Sequence, residues 1–225
     1  MQSFYFFDAS WLSISGLASA FFSVVAFLPY IRDTLTGKAM PHRASWFIWA
    51  VLASIAFCAQ AYEGASFTLW FAGAQAGMTI IVCVISLTHG RGALLTRVDE
   101  RALWLAAIGI IVWYFTETAA YALAVTISVS LLGGLLTIAK AYRDPDTETM
   151  MKWALTLVAS ILALFALPGW DPVLLAYPLY ILALNSAVVC AMLLGRMALA
   201  RQVAFCQRTA PEMLAMPAFR AASFS

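Results

Sequence analysis

At 225 residues, 64% hydrophobic and only 11% charged, the chain departs from the roughly half-apolar, quarter-charged make-up of soluble domains and excludes that class. A net charge of +2 is too small for nucleic-acid binding. Where the charges fall says more than their sum.

The opening MQSFYFFDAS holds no Lys or Arg before the first apolar run. That run therefore reads as a retained span, since a secretory signal begins with a basic region. A helix needs about 20 apolar residues to cross a bilayer, fewer where its flanks snorkel. By that measure spans are expected at 11–31, 45–62, 66–88, 102–116, 118–139, 153–169 and 172–195. All 13 Lys and Arg then fall on alternate connections. Arg32, Lys38 and Arg43 follow the first span, and Arg91, Arg97 and Arg101 follow the third. Lys140, Arg143 and Lys152 follow the fifth, and Arg196, Arg201, Arg208 and Arg220 follow the seventh. The other face carries only Asp8, Glu63, Glu117 and Asp171. The positive-inside rule then sets a multi-pass protein of the cell (inner) membrane, N-terminus outside and C-terminus cytoplasmic. Omitting the short fourth span would break that pattern.

Because the fourth span inverts the chain, the three spans on each side of it share one orientation. The stretch Leu28–Trp49, LPYIRDTLTGKAMPHRASWFIW, is an apolar helix end closed by Pro29, a basic loop and a restart at Trp46. It recurs as IAKAYRDPDTETMMKWAL, Ile138–Leu155. An offset of 111 carries Ser15, Ser19 and Ser23 onto Thr126, Ser130 and Gly134, and Arg32-Asp33 onto Arg143-Asp144. After the loop an offset of 107 carries Trp46 onto Trp153 and Val82-Cys83 onto Val189-Cys190. The expected fold class is all-α integral membrane: seven transmembrane helices as two parallel three-helix repeats joined by an inverting fourth helix. One membrane domain fills 1–225, with repeats at 11–88 and 118–195, a linker helix at 102–116 and a cytoplasmic tail at 196–225. In the tail, RMALARQVAFCQR suits a basic amphipathic helix on the membrane surface, and the remainder has no sustained period and is expected to be mobile.

The small-residue stripes serve close helix packing or line a solute path. No ionisable residue lies well inside an expected span, which argues against proton pumps, ion-coupled carriers and voltage sensors. The seventh span lacks the lysine that retinal attachment needs. His42 and His89 fall in loops, no base accompanies a serine in a span, and no His or carboxylate cluster is present. No enzyme activity, metal or cofactor is expected. Cys58, Cys83, Cys190 and Cys206 form no CxxC pair, so no disulfide is expected.

Neutral polarity remains. Gln75 and Asn185 lie in the third and seventh spans, and a buried amide needs partners. Either each bonds a neighbouring helix, or both face a central cavity that binds a neutral polar solute, with Trp49, Trp70, Tyr177 and Tyr180 as walls. Trp70, Trp170 and Trp113-Tyr114 suit the interfacial aromatic belt. Pro29, Gly133 and Gly134 are candidate hinges, and Arg32, Asp33, Arg143 and Asp144 a candidate cytoplasmic gate, with Arg43 and Glu148 in the corresponding loops. The expected partners are the lipid bilayer and a small solute, with homo-oligomers left open.

The proline-bearing helix end, basic loop and tryptophan restart, set in a 3+1+3 plan, resemble the PQ-loop and SWEET-like superfamily. PYIRD, RASWFIW and AYRDPDTET are more closely similar to a functionally uncharacterised group of bacterial seven-span proteins. Tyr30 stands where the superfamily has glutamine, and Lys140-Ala141 replaces the second Pro-Gln. The resemblance implies the two-repeat fold and, by analogy, facilitative transport of a small neutral solute, sugar- or vitamin-like. Asn185 is compatible with the asparagine that lines the pocket in the seventh helix of such carriers. The alternative is a non-transporting receptor or scaffold with a cytoplasmic partner.

Overall fold

The computed structural model describes residues 9–39, 41, 43–90, 97–116 and 119–215. Among these, every regular element is helical: α1 (Ala9–Leu35), α2 (Arg43–Tyr62), α3 (Leu69–His89), α4 (Arg97–Thr116), α5 (Ala119–Arg143), α6 (Met150–Phe165) and α7 (Pro172–Ala215). One 3₁₀ turn, Pro145–Thr147, joins α5 to α6. His42, Arg91, Glu117, the first eight residues and 216–225, the end of the tail expected to be mobile, lie outside the described residues.

Local chemistry sets the helix ends. Gly37 and Gly64 take φ values of 76° and 79°, the left-handed geometry that closes a helix without a Cβ clash. Beyond Gly37 the Lys38 and Ala39 amides donate back to the Asp33 carbonyl at 2.8 and 2.9 Å. Beyond Gly64 the Ala65 amide donates to the Gln60 carbonyl at 2.9 Å. The Asp171 carboxylate accepts from the Val173 and Leu174 amides at 2.8 and 3.1 Å and so caps α7. Pro172 occupies the first helical position, where its missing N–H costs nothing.

Three boundaries differ from the sequence expectation. α1 does not stop at Pro29 but runs on through it to Leu35; in an apolar helix packed on its neighbours, one lost main-chain bond is tolerated. α7 is a single helix of 44 residues. RMALARQVAFCQR therefore prolongs the seventh segment instead of forming a separate helix, because nothing between Leu194 and Arg201 breaks it. α6 begins at Met150, which moves Lys152 from a loop into the first turn of a helix.

The helices are apolar outside and small or polar inside. On α1, Ile14, Leu17, Phe21, Val24 and Leu28 are exposed, whereas Ser15, Ser19, Ser23 and Ala26 are buried. Water would reverse that arrangement; hydrocarbon favours it. Among the described residues, four helices are long and apolar enough to cross a membrane: Ala9–Leu35, Ser45–Tyr62, Leu69–His89 and Pro172–Phe205. Ala107–Thr116, Ala120–Leu131 and Met150–Phe165 are shorter apolar helical stretches. The 16 residues of α6 rise about 24 Å, less than the roughly 30 Å of a hydrocarbon core.

α1 packs on α3 and α6, α2 on α3 and α5, and α7 on α5 and α6. α4 lies against α5 and, more lightly, α2. At the end holding the α2–α3 and α6–α7 turns, one apolar cluster joins both halves, with Ala59, Phe71, Ala163 and Tyr177 at its centre. Toward the other end lie one cluster around Phe27, Tyr30 and Trp46, on which Leu155 of α6 packs, and one around Trp153, Val188 and Met192.

Candidate functional site

α1, α2, α3, α5, α6 and α7 line a partly open cavity of about 80 Å³ between the halves, and among the described residues none from α4 lines it. One water needs only about 10–15 Å³ of such space, so the cavity has room for several waters or a small polar molecule.

Helical spacing builds each wall. On α2, Trp46, Trp49 and Ala53 recur at i, i+3, i+7 and face inward together. Trp46 is anchored by its neighbours: its Nε1 donates to the Tyr30 hydroxyl at 3.3 Å, and its ring meets Trp49 edge-on at a centroid distance of 5.4 Å. On α6, Lys152, Trp153 and Thr156 occupy one face. Trp153 Nε1 donates to Glu148 Oε2 at 3.2 Å, and Glu148 Oε1 accepts from Lys140 at 2.9 Å. The two tryptophans related by the 107 offset thus both border the cavity, each held by a polar group at its rim.

Polar groups converge from four helices. Gln75 and Thr79 come from α3, Thr126 and Ser130 from α5, Thr156 from α6 and Asn185 from α7. Thr79 and Thr156 each donate their hydroxyl to their own helix, to the Gln75 and Lys152 carbonyls at 2.7 and 2.9 Å. Their oxygens are left to act as acceptors. Asn185 is 2% exposed; its Nδ2 donates to the Ile181 carbonyl at 2.7 Å, and its Oδ1 has no partner among the described residues. Lys152 is 7% exposed, with its ammonium 3.4 Å from the Trp153 ring centroid and 5.4 Å from that of Phe27. Tyr177 and Tyr180 line the cavity at the end nearest the shared apolar cluster.

Gln75, Asn185, Trp49, Tyr177 and Tyr180 border this one cavity, whereas Trp70, the other expected wall residue, is exposed and stands outside its lining. Of the two small-residue stripes, that of α5 lines it through Thr126 and Ser130. That of α1 packs: a Cβ on neighbouring Gly16 would sit 2.5 Å from the Phe67 carbonyl oxygen, and Ser19 donates to the Gly16 carbonyl at 2.7 Å.

The candidate hinges and gate residues lie away from the cavity. α5 is unbroken through Gly133 and Gly134, and a Cβ on Gly134 would lie 2.6 Å from Leu184 Cδ1, so Gly134 is a close-packing point. Asp33 crosses between halves, accepting from the Thr149 hydroxyl at 3.1 Å. Arg32, Arg143 and Asp144 are exposed. Two ion pairs, Lys140–Glu148 and Arg196–Asp146, lie within the second half.

Lys152 escaped the sequence reading because a charge ends any apolar window, which placed it one residue before the expected span. Its adjacency to the repeated tryptophan was the available signal. Phe27, Thr79 and Thr156 carry no mark that separates them from ordinary span residues. Comparison with family models, with curated proteins and with solved structures finds no match to this chain.

Proposed function

We propose that the protein is a seven-span carrier of the SWEET-like 3+1+3 plan, in the cell membrane with its C-terminus cytoplasmic, which moves a small polar solute by rocking two three-helix units about a shared site. The observation that carries this reading is the polar cavity lined by three helices from each half and, among the described residues, by none from α4. The neighbour relations support it further. Exchanging α1, α2 and α3 for α5, α6 and α7 turns the α1–α3, α2–α3 and α1–α6 contacts into α5–α7, α6–α7 and α5–α2, all of which occur. Carriers built from repeats place their sites at the repeat interface. The aromatic walls and convergent amides suit a sugar- or vitamin-like molecule, and no catalytic step is required of any residue.

Uptake by proteoliposomes, screened against sugars and vitamins, tests the reading. Asn185→Ala and Gln75→Ala should each reduce uptake of the transported solute by about tenfold or more, with expression unchanged. Full uptake in both variants would dismiss the site.

A second reading, a non-transporting receptor or scaffold, draws on α7. Its last turns carry Met197, Leu199, Val203 and Phe205 exposed, a surface suited to a cytoplasmic partner. Failure of every solute in the uptake screen would favour it.

A further inference from the structure

The expectation of a neutral solute rested on spans free of ionisable residues, and Lys152 removes that premise. Its side chain lines the cavity from the first turn of α6. Its ammonium lies over the Trp153 and Phe27 faces, Glu148 acts on it through charge, and it forms no ion pair among the described residues. The carboxylate nearest in sequence is engaged elsewhere, for Glu148 accepts from both Lys140 and Trp153. Aromatic faces attract a cation but occupy none of its three N–H donors in a linear bond, and they recover only part of what a buried ammonium loses on leaving water.

Across the same cavity lies the complementary deficiency. The partner of the Asn185 side chain at 2.7 Å is a main-chain carbonyl, which can only accept. The amide nitrogen must therefore face it, which leaves Oδ1 as a buried acceptor lacking a donor. A cation whose nearby carboxylate, Glu148, is already bonded to Lys140 and Trp153, and an acceptor without a donor among the described residues, define what fits between them. A neutral polyol would satisfy Asn185 and leave the ammonium uncompensated; a simple anion would do the reverse.

We propose that the cavity takes a small hydroxy-carboxylate, its carboxylate bound by Lys152 and a hydroxyl donated to Asn185. Binding stands on this geometry alone, and transport of that class rests on the carrier reading above. A single point charge among tryptophan faces balances a monoanion and falls short of a phosphate dianion. On the repeat offset Lys152 corresponds to Ser45, so the cation belongs to one half only and gives the site a direction.

The test uses the full purified chain in lipid nanodiscs. Equilibrium binding and thermal shift are measured with L-lactate and D-glycerate, with their uncharged amides, lactamide and glyceramide, and with inorganic phosphate. The acids should bind and stabilise while the amides do not. Lys152→Gln should weaken lactate binding by about thirtyfold or more, and Asn185→Ala should weaken it by about tenfold. Equal binding of acids and amides, no response to either acid, preference for phosphate, or a folded Lys152→Gln protein that binds lactate normally would each overturn the assignment. If Lys152→Gln fails to fold, the acid-against-amide comparison on the unaltered chain decides. Proteoliposome uptake separates the two claims. Acid binding without uptake removes the carrier and keeps the site, whereas uptake of uncharged solutes without acid binding keeps the carrier and removes the site.

Discussion

Asp33 and Thr149 form a side-chain hydrogen bond that bridges the basic ends of the two halves. It is partly buried and its acceptor is a carboxylate, so it is worth about 1–2 kcal/mol. Thr149→Val and Asp33→Asn should each lower thermal stability, and the double variant should lose no more than either single one. The coupling from such a cycle should be about 1 kcal/mol or more; additive losses would deny the contact. At this scale the sequence was informative wherever a residue clashed with its surroundings. Gln75 and Asn185 stand out because amides in apolar helices need a purpose, and Trp49, Tyr177 and Tyr180 because large rings with polar tips suit a wall. Asp33 was marked as a gate residue, yet its partner is a neutral threonine that no charge pattern could reveal. Lys152 was hidden because a hydropathy window ends at a charge even when the helix does not.

Helix positions were mostly legible, since runs of apolar residues bounded by Gly, Pro and Asp punctuate this chain heavily. Gly37, Gly64 and Asp171-Pro172 end or start helices for reasons readable from sequence. Pro29 misled, because proline stops helices in water more readily than in a packed apolar bundle. α4 is the element on which orientation turns. Its apolar stretch, 102–116, is the shortest of the seven expected spans, and its side chains Trp104, Ile108, Ile111, Tyr114 and Phe115 are exposed. A reporter active only in the cytoplasm should be on when fused after His89 and off when fused after Thr116. The same signal at both sites would mean that α4 does not cross, and every later helix would then be inverted.

For the molecule as a whole, the two offsets suggested repeats, but only the neighbour relations give the suggestion physical content. The cavity departs from symmetry. Thr126 and Ser130 line it while their counterparts Ser15 and Ser19 are packed, and Lys152 faces Ser45's half with no equivalent. Sequence repeats reveal shared backbone arrangement; which face of a helix a void adjoins depends on how the halves lean together, and no local pattern encodes that. At the basic end the halves meet through Leu155, packed on the Phe27–Trp46 cluster, and through the Asp33–Thr149 bond; at the other end one apolar cluster is shared. A carrier must expose its site to each side in turn.

The most direct measurement of that claim is the reactivity of Thr126→Cys in a chain whose four native cysteines are replaced by serine or alanine. A small charged methanethiosulfonate is applied to right-side-out and to inside-out membrane vesicles. The account predicts labelling of position 126 from both sides, slowed by saturating solute. Labelling from neither side, or at an unchanged rate with every solute that the protein transports, would contradict it.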